Sequence, residues 1–267
     1  MRLSDAHVRD FERDGYLFLP NAFSPEEVRV LADEVPGLFA QDRPEVVREK
    51  GSGAPRTAFF VQTWNPAFAL LARHPRLLDP VAQLLGSDKL YMHQFKLNAK
   101  AAFDGAVWQW HQDYATWHND DDMPTPRAMN IALSLAEVNE FNGPLMFIPG
   151  SHKEGRLEAG HDTTTTSYPL WTIDNPTITR LVDRGGLVAP KGPAGSMLMF
   201  HGNLVHASGS NLSPWSRWVV YLSLNRCDNA IRRHKRPNWI AHRDFTPIVP
   251  APDDCLMAYA RERRAAE

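Results

Sequence analysis

Three side chains of the kinds that bind transition metals stand at two distant places in the chain. His111 and Asp113 are separated by a single residue, and His206 lies far downstream. Two histidines and one carboxylate can occupy one face of an octahedron and leave the other positions to exogenous ligands, as non-haem iron(II) oxygenases require. Zinc is more often held in a closed tetrahedral site or by three ligands and a water. The three residues therefore predict a mononuclear iron(II) site.

Arg217 follows His206 closely and is a second candidate for a chemical role. A planar guanidinium holds a carboxylate well, through two parallel hydrogen bonds. It would bind the distal carboxylate of a dicarboxylic co-substrate whose 2-oxoacid end chelates the metal. The alternative is that Arg217 is an exposed charge on a strand.

Strands must bring these residues together. Residues i and i+2 of an extended strand point to the same face, which would put His111 and Asp113 side by side. From Leu90 onward the apolar stretches are short and broken by Gly, Pro and Asn, a pattern typical of an antiparallel sandwich or barrel. The clearest predicted strands cover 129–138, 145–148, 196–200 and 218–225.

The N-terminal part has a different pattern. An apolar run predicts a strand over 16–20. Ser24 then starts a capping sequence with Pro and Glu, which predicts a helix over 25–38. A polar segment with Pro and Gly predicts a mobile loop over 40–58, and a second helix is predicted over 80–85.

These patterns predict one domain over residues 1–267, mainly β with a helical cover (α+β). The helical cover spans 1–89 and the β core spans 90–250. Within the core, residues 152–190 form a polar insertion with four consecutive threonines, 163–166, and we expect it to cover a pocket.

Composition narrows the class of protein. The net charge of −2 gives no electrostatic case for nucleic acid or an anionic membrane. The two cysteines form no C-x-x-C motif, and no apolar stretch is long enough for a membrane span. The charged N-terminus lacks the apolar run of a secretory signal. We therefore predict a cytoplasmic enzyme with a small-molecule substrate and neither a nucleic-acid nor a membrane partner.

Several segments resemble a known family. They are HQFKLNAK at 93–100, the metal motif at 108–117, FNGPL to PGSH across 141–152, the stretch 205–217, and RP to RDFTP across 236–247. With the opening at 16–27 they cover most of the chain. The chain is identified as a member of the phytanoyl-CoA dioxygenase superfamily of iron(II)/2-oxoglutarate enzymes. Within it, the chain most resembles bacterial hydroxylases of ectoine, free proline and free leucine.

The resemblance implies a double-stranded β-helix, a cupin-like jelly roll with the metal at one open end. It implies iron(II), 2-oxoglutarate and O2 as the cofactor and co-substrates. It also implies that Lys100, Ser208 and Arg217 bind 2-oxoglutarate, and that Asn98 supports the same wall. For the third metal ligand, the family register favours His206 over His201, which lies five residues earlier.

Substrate contacts follow from the same resemblance. Gln94 would reach the substrate or co-substrate, and it alternates with Lys96, Asn98 and Lys100, so a strand would put all four side chains on one face. Buried lysines there would be costly without anionic partners. Trp117 matches an aromatic position near the ectoine site, with a core residue as the alternative.

Arg243 lies in a segment shared with the amino-acid hydroxylases. It would bind a substrate carboxylate, or alternatively form a structural ion pair with Asp244. Around the metal Asp, this chain departs from the ectoine enzymes at Gln112 and at Tyr114-Ala115. That departure favours the proline and leucine enzymes over the ectoine enzyme as models.

The predicted function is hydroxylation of a small amino-acid-like substrate, with release of succinate and CO2. A related halogenase is disfavoured, because halogenases replace the metal Asp with a small residue and Asp113 is present. Two alternatives stay open. One is the same chemistry on an acyl-CoA or natural-product scaffold, and the other is a metal-binding jelly roll without turnover. The substrate's identity, the position of hydroxylation and the oligomeric state are left open.

Overall fold

Strands form the framework of this protein. The structure, a computed structural model, describes residues 1–165 and 169–266. The strands are β1 (Tyr16–Leu19), β2 (Val46–Arg48), β3 (Pro55–Phe59), β4 (Leu90–Lys100), β5 (Trp108–His111), β6 (Ala128–Ser134), β7 (Leu145–Phe147), β8 (Gly160–Asp162), β9 (Leu170–Thr172), β10 (Met197–His201), β11 (His206–Ser208) and β12 (Arg217–Arg226). The helices are α1 (Asp5–Asp14), α2 (Pro25–Ala32), α3 (Val35–Phe39), α4 (Pro66–Leu71), α5 (Pro75–Leu85), α6 (Asp113–Asp121), α7 (Asn175–Gly185) and α8 (Cys255–Ala266).

The strands form two antiparallel sheets. The larger has the order β1-β10-β6-β12-β4-β3-β2, and the smaller has the order β7-β11-β5-β9-β8. Phe147 of the smaller sheet packs with Phe200 and Tyr221 of the larger sheet in one buried cluster. The inner faces of the two sheets therefore pack on each other, as in a jelly roll, and the predicted mainly-β class with a helical cover is confirmed.

The longest strand pair, β4 with β12, separates the core from the polar interior. Along β4, Phe95, Leu97 and Ala99 pack outward against the helical cover in the main apolar core. The alternating side chains point to the opposite face, where Lys96 stands opposite Tyr221 and Lys100 opposite Arg217. The period of two that defines a strand therefore puts the polar residues between the sheets.

The N-terminal helix prediction was right about its start and wrong about its length. Ser24 forms the expected capping box with Glu27, and α2 begins at Pro25. The helix ends at Ala32, and α3 starts separately at Val35. Pro36 explains the break, because it has no N–H to donate to the carbonyl group of Ala32, with which its ring would clash in a continuous helix.

The predicted loop over 40–58 is wrong. This segment contains β2 and β3, which pair with each other and extend the large sheet. The guanidinium of Arg56 donates to Glu49 at 2.8 Å, and both side chains are almost fully buried. This ion pair offsets the free-energy cost of burying both charged side chains, whereas the polar composition of the segment had predicted a solvent-exposed loop.

Other elements of the N-terminal cover also differ from prediction. The helix predicted over 80–85 starts earlier, at Pro75, and includes Pro80. The expected strand over 16–20 is present as β1, but it joins the large sheet beside β10. The segment 1–89 thus supplies three strands to the main sheet as well as helices.

The later strand predictions are confirmed within two residues, except that 129–138 ends at Ser134. The insertion 152–190 contains β8, β9 and α7. Thr163 to Thr165 are described, whereas Thr166 lies outside the described residues. Within the described ranges, no helix combines the length and the apolar character needed to cross a bilayer.

Candidate active site

The predicted metal ligands meet where the small sheet joins α6. His111 is the last residue of β5, and His206 is the first residue of β11. The antiparallel pairing of these strands places the two histidines opposite each other. Asp113 is the first residue of α6 and not, as predicted, part of the same strand as His111. Gln112 makes the turn between strand and helix, and the carboxylate still reaches the two imidazoles.

The geometry of the three side chains fits one metal ion. The Nε2 atom of His111 lies 3.6 Å from Oδ1 of Asp113, and Nε2 of His206 lies 3.6 Å from Oδ2. All three ligand atoms fall within 4.8 Å of one another. In the part of the chain that the structure describes, this is the one cluster of three such groups. Two imidazoles and a carboxylate suit iron(II).

The backbone fixes the orientation of both imidazoles. Nδ1 of His111 lies 2.6 Å from the carbonyl oxygen of Gln109, and Nδ1 of His206 lies 2.9 Å from that of Leu204. A carbonyl can only accept, so Nδ1 carries the proton in each ring. The Nε2 lone pairs are therefore left for a metal, as in most protein metal sites.

The protonation states also favour metal binding. Burial works against ionisation of Asp113, but the neighbouring His206 and His111 outweigh it and lower the pKa of the carboxyl group. Burial, with a smaller effect of His111, lowers the pKa of His206 to about 3. At neutral pH the site therefore has an ionised carboxylate and a neutral His206, the forms that bind a cation.

A narrow cavity of about 50 Å³ opens beside the three ligands. Its wall combines aromatic, apolar and polar side chains. Besides His111, Asp113 and His206, it is lined by Phe59, Gln94, Lys96, Asn98, Trp108, Thr116, Trp117, Leu145, Leu170, Ala207, Ser208, Tyr221 and Arg236.

Three predicted co-substrate residues lie at or beside this cavity. Asn98 and Ser208 line it. Arg217 lines an adjoining space of about 20 Å³ that shares Leu145 and Tyr221 with the cavity. Arg217 and Ser208 both donate to the carbonyl oxygen of Gly143, the serine at 3.1 Å. The Arg217 side chain is buried. This excludes the alternative of an exposed charge on a strand.

Lys100 is placed differently from the other predicted co-substrate residues. Its side-chain nitrogen donates to the carbonyl oxygens of Ala106, at 2.8 Å, and Gly209. It also lies 3.5 Å from the carbonyl oxygen of Ser208. In this structure Lys100 joins two loops beside the cavity and is not among the side chains that line it.

Two cations near the metal ligands have no acidic partner. Among the described residues, neither Lys96 nor Arg217 has a carboxylate within ion-pair distance, whereas Arg236 is paired with Asp121. Lys96 lies 5.7 Å from the ring centre of Trp108 and 5.6 Å from that of Tyr221. In addition, Nε of Arg217 is buried without a hydrogen-bond partner.

The predicted substrate residues divide into two groups. Gln94 and Trp117 line the cavity, and the side chain of Gln94 donates to the carbonyl oxygen of Ile240 at 3.0 Å. Arg243 does not line it. Its guanidinium lies at the surface and donates to the carbonyl oxygen of Arg236 at 3.1 Å, and no ion pair with Asp244 is seen among the described residues. The cavity-lining arginine of this segment is Arg236, because the chain turns between the two residues.

Sequence reasoning missed several wall residues. Phe59 and Leu170 come from the segments predicted as a loop and an insertion, so only the folded chain places them at the cavity. Thr116 lies one helical turn beyond Asp113, and its hydroxyl is buried without a partner. Residues three apart on a helix share a face, so the spacing of Asp113 and Thr116 could have placed Thr116 at the cavity. That inference needs the helix to begin at Asp113, which the sequence did not predict.

Comparison with known proteins identifies the family. The model of the family "Phytanoyl-CoA dioxygenase (PhyH)" matches residues 11–219. The chain belongs to the phytanoyl-CoA dioxygenase family. This agrees with the resemblance seen in the sequence.

Individual relatives within the family are similar over nearly the whole chain. An L-proline trans-4-hydroxylase from Streptomyces griseoviridis is 38% identical over 95% of this chain and 98% of its own. An ectoine dioxygenase from Bordetella bronchiseptica is 38% identical over 93% of this chain and 85% of its own. The crystal structure of EctD from S. alaskensis with 2-oxoglutarate and 5-hydroxyectoine is 34% identical. It superposes with a TM-score of 0.83 over 93% of this chain and 87% of its own. The predicted jelly-roll fold is thereby confirmed.

The metal-ligand assignment predicts a clear difference between two nearby histidines. His206→Ala should weaken iron(II) binding by at least 100-fold, since it removes one of three ligands. His201→Ala should keep the metal, because Nδ1 of His201 accepts from the backbone N–H of Asn203 and its ring packs on His152. Anaerobic titration with iron(II) measures both affinities. Loss of iron from the His201 variant with retention in the His206 variant would reverse the assignment.

The buried position of Lys100 predicts a pH dependence of stability. Burial, reinforced by the nearby Arg217 and Arg56, lowers the pKa of Lys100 to about 6. Between about pH 6 and the ordinary lysine pKa, Lys100 is protonated in the unfolded chain and neutral in the folded chain. Folding therefore releases a proton in this range, and the free energy of unfolding rises with pH. Lys100→Met should reduce that slope in urea unfolding between about pH 7 and pH 9, relative to wild type.

Lys89 provides the control, because it is exposed. Lys89→Met should leave the slope unchanged. An equal pH slope in wild type and Lys100→Met would show that Lys100 keeps its proton in the fold.

Proposed function

We propose that this protein is an iron(II)- and 2-oxoglutarate-dependent dioxygenase that hydroxylates a small amino-acid-like molecule with O2, releasing succinate and CO2. The observation that carries the proposal is that Lys96 lines one cavity with His111, Asp113 and His206, while Arg217 lines the space beside it. Neither cation has an acidic partner among the described residues. The three ligands can hold a divalent metal, and the unpaired cations can hold carboxylates.

The metal would be held by His111, Asp113 and His206. Iron bound there would supply the oxidative chemistry that decarboxylates 2-oxoglutarate and hydroxylates the substrate. The protein's own contribution is to fix the ligands. Backbone carbonyl groups hold both imidazole rings, and the ionised Asp113 balances part of the metal's charge.

Arg217 is the proposed contact for the distal carboxylate of 2-oxoglutarate. It is buried, and its Nε has no partner, so one edge of the guanidinium can still donate. The carbonyl oxygen of Gly143 accepts from Nη1 and orients the group. Ser208 shares this acceptor, and its hydroxyl would turn from Gly143 to donate to the same carboxylate. A charge-assisted contact of this kind is stronger than a neutral hydrogen bond.

Lys100 remains proposed as part of the co-substrate wall, but its role is indirect. Its side-chain nitrogen donates to carbonyl oxygens in the two loops that carry Ala106 and Gly209. Asn98 is held in the same wall by the hydroxyl of Thr57, which donates to it at 3.0 Å. These contacts would fix the shape of the pocket around Arg217.

The substrate would be held on the opposite side of the metal ligands. Lys96 is the cation available there for a substrate carboxylate. The hydroxyl of Thr116 is free, and the side-chain oxygen of Gln94 remains available because the amide nitrogen is used by Ile240. Trp117 and Leu170 would cover the carbon skeleton. A compact pocket with a few fixed polar contacts suits a small zwitterion.

The similar proteins support this substrate class. Two relatives that are each 38% identical are named for L-proline and for ectoine, both small molecules, and the chain covers most of each relative's length. Exclusion of water from the cavity would be provided by the aromatic residues Phe59, Trp108 and Trp117. A dry site protects reactive species from side reactions.

An acyl-CoA substrate is the second candidate, and the charges disfavour it. Coenzyme A phosphates need a basic patch, and the sequence offers only the run from Arg232 to Arg236. In the structure Lys235 pairs with Asp120 at 2.7 Å, and Arg236 pairs with Asp121. Two of these cations are thus neutralised by α6. A metal-binding protein without turnover has no use for the buried Arg217 and the half-buried Lys96, which have no acidic partners among the described residues.

We further propose that the protein acts in the cytoplasm. Cys227 and Cys255 are both free thiols in the structure. A reducing compartment suits a protein that makes no disulfide.

The direct test of the proposed function is a turnover screen. Free amino acids and their cyclic derivatives are incubated with the protein, iron(II), 2-oxoglutarate and ascorbate, and the products are read by mass spectrometry. We expect at least one free amino acid or derivative to gain one oxygen, with succinate formed in equal amount. Hydroxylation of acyl-CoA substrates, with no activity on any free amino acid, would contradict the proposal.

Two variants separate the co-substrate and substrate pockets. Arg217→Met should raise the KM for 2-oxoglutarate at least tenfold, because a buried charge-assisted contact is lost. Lys96→Met should instead raise the KM for the amino-acid substrate and leave that for 2-oxoglutarate within about twofold. Steady-state kinetics with each component varied in turn give both constants. The reverse pattern would exchange the two roles, and an unchanged KM for 2-oxoglutarate in the Arg217 variant would remove its assignment.

A further inference from the structure

A chain of two hydrogen bonds leads away from the metal ligand Asp113. The side-chain nitrogen of Asn130 donates to Oδ2 of Asp113 at 2.8 Å. The hydroxyl of Ser223 donates to the side-chain oxygen of Asn130 at 2.7 Å. Asn130 and Ser223 are each only 2% exposed, so water does not compete for these bonds.

The sheet register makes this chain of bonds possible. Asn130 lies in the middle of β6, and Ser223 stands directly opposite it on β12. Facing residues on neighbouring antiparallel strands have their side chains close together on one face. The pairing of β6 with β12 therefore places the Ser223 hydroxyl next to the side-chain amide of Asn130.

The carboxylate of Asp113 determines which way the asparagine amide faces. An ionised carboxylate can only accept, so the amide nitrogen of Asn130 points to it. The amide oxygen then faces Ser223, whose hydroxyl donates to it and stabilises this orientation. If the amide turned over, its oxygen would face the carboxylate and two acceptors would oppose each other.

We infer that Asn130 and Ser223 position Asp113 for metal binding, an inference that rests on the proposed iron site. The bond from Asn130 engages Oδ2 and draws electron density from it. The carboxylate is therefore biased to bind the metal through Oδ1 alone. Single-atom binding by Asp113 leaves more coordination positions for 2-oxoglutarate and O2.

The cost of burying these two polar groups supports a functional role. A buried amide or hydroxyl destabilises a fold unless it is hydrogen-bonded. The neighbours of Asn130 on the same face of β6 are Ala128 and Ala132, which are buried and apolar. An apolar side chain would fill this position without the cost, whereas only a donor can hold Oδ2 of Asp113.

Cobalt(II) binding tests the inference without turnover. Cobalt(II) occupies sites of this ligand type, and its visible absorption reports the coordination geometry. Ser223→Ala should weaken cobalt(II) binding about tenfold, the lower end of the usual effect of an outer hydrogen-bond partner, and should change the shape of the visible spectrum. Asn130→Leu, which removes the donor without adding a charge, should weaken binding at least as much.

Ser213 provides a matched control. Its buried hydroxyl donates to the side-chain oxygen of Asn211 at 2.7 Å, the same kind of bond at the same length, away from Asp113. Ser213→Ala should keep the wild-type cobalt(II) affinity and spectrum. The Tm of each metal-free variant shows whether the fold itself has changed.

The outcomes distinguish this inference from the proposed function. If wild type binds neither cobalt(II) nor iron(II), the iron site itself is wrong. If wild type binds cobalt(II) and both Ser223→Ala and Asn130→Leu match it in affinity and spectrum, only the positioning role is wrong. Equal losses of affinity and of metal-free Tm in Ser223→Ala and Ser213→Ala would also overturn that role, because the effect would be one of packing.

Discussion

The pairing of β5 with β11 is the constraint on which the rest of the site depends. It places His206 opposite His111, and two backbone carbonyl groups then turn both Nε2 atoms to the same point. α6 begins two residues after His111 and brings Asp113 to that point. A shift of one residue in this pairing would send one imidazole to the other face of the sheet. The metal centre is thus a consequence of strand register.

A second register gives the site its charge. The β4–β12 pair places Lys96 opposite Tyr221 and Lys100 opposite Arg217, all facing the interior between the sheets. Buried cations are costly without partners. Lys100 donates to backbone carbonyl oxygens, whereas neither the buried Arg217 nor the half-buried Lys96 has an acidic partner among the described residues. The space between the sheets is therefore positively charged in the absence of ligands. This charge suits a dicarboxylate co-substrate and an amino-acid-like substrate.

The sequence was most informative where chemistry depends on residue type and least where it depends on distant packing. His111, Asp113 and His206 could be predicted because few side chains bind iron(II), and the mainly-β fold could be predicted from the short, interrupted apolar runs. Asn130 could not be predicted, because its contact with Asp113 requires the start of a helix and the middle of a strand to meet. The surface position of Arg243 could not be predicted either, since a turn in the chain brings Arg236 to the cavity instead.

The central claim is that one cavity holds a metal and a dicarboxylate together. Anaerobic titration of the iron(II)-loaded protein with 2-oxoglutarate tests it most directly, because a 2-oxoacid chelated to iron(II) absorbs visible light. We expect a visible absorption band that saturates at one 2-oxoglutarate per chain. We also expect at least tenfold weaker binding of 2-oxobutyrate, which lacks the distal carboxylate. Absence of the band, or equal affinity for the two oxoacids, would contradict joint binding of a metal and a dicarboxylate at this site.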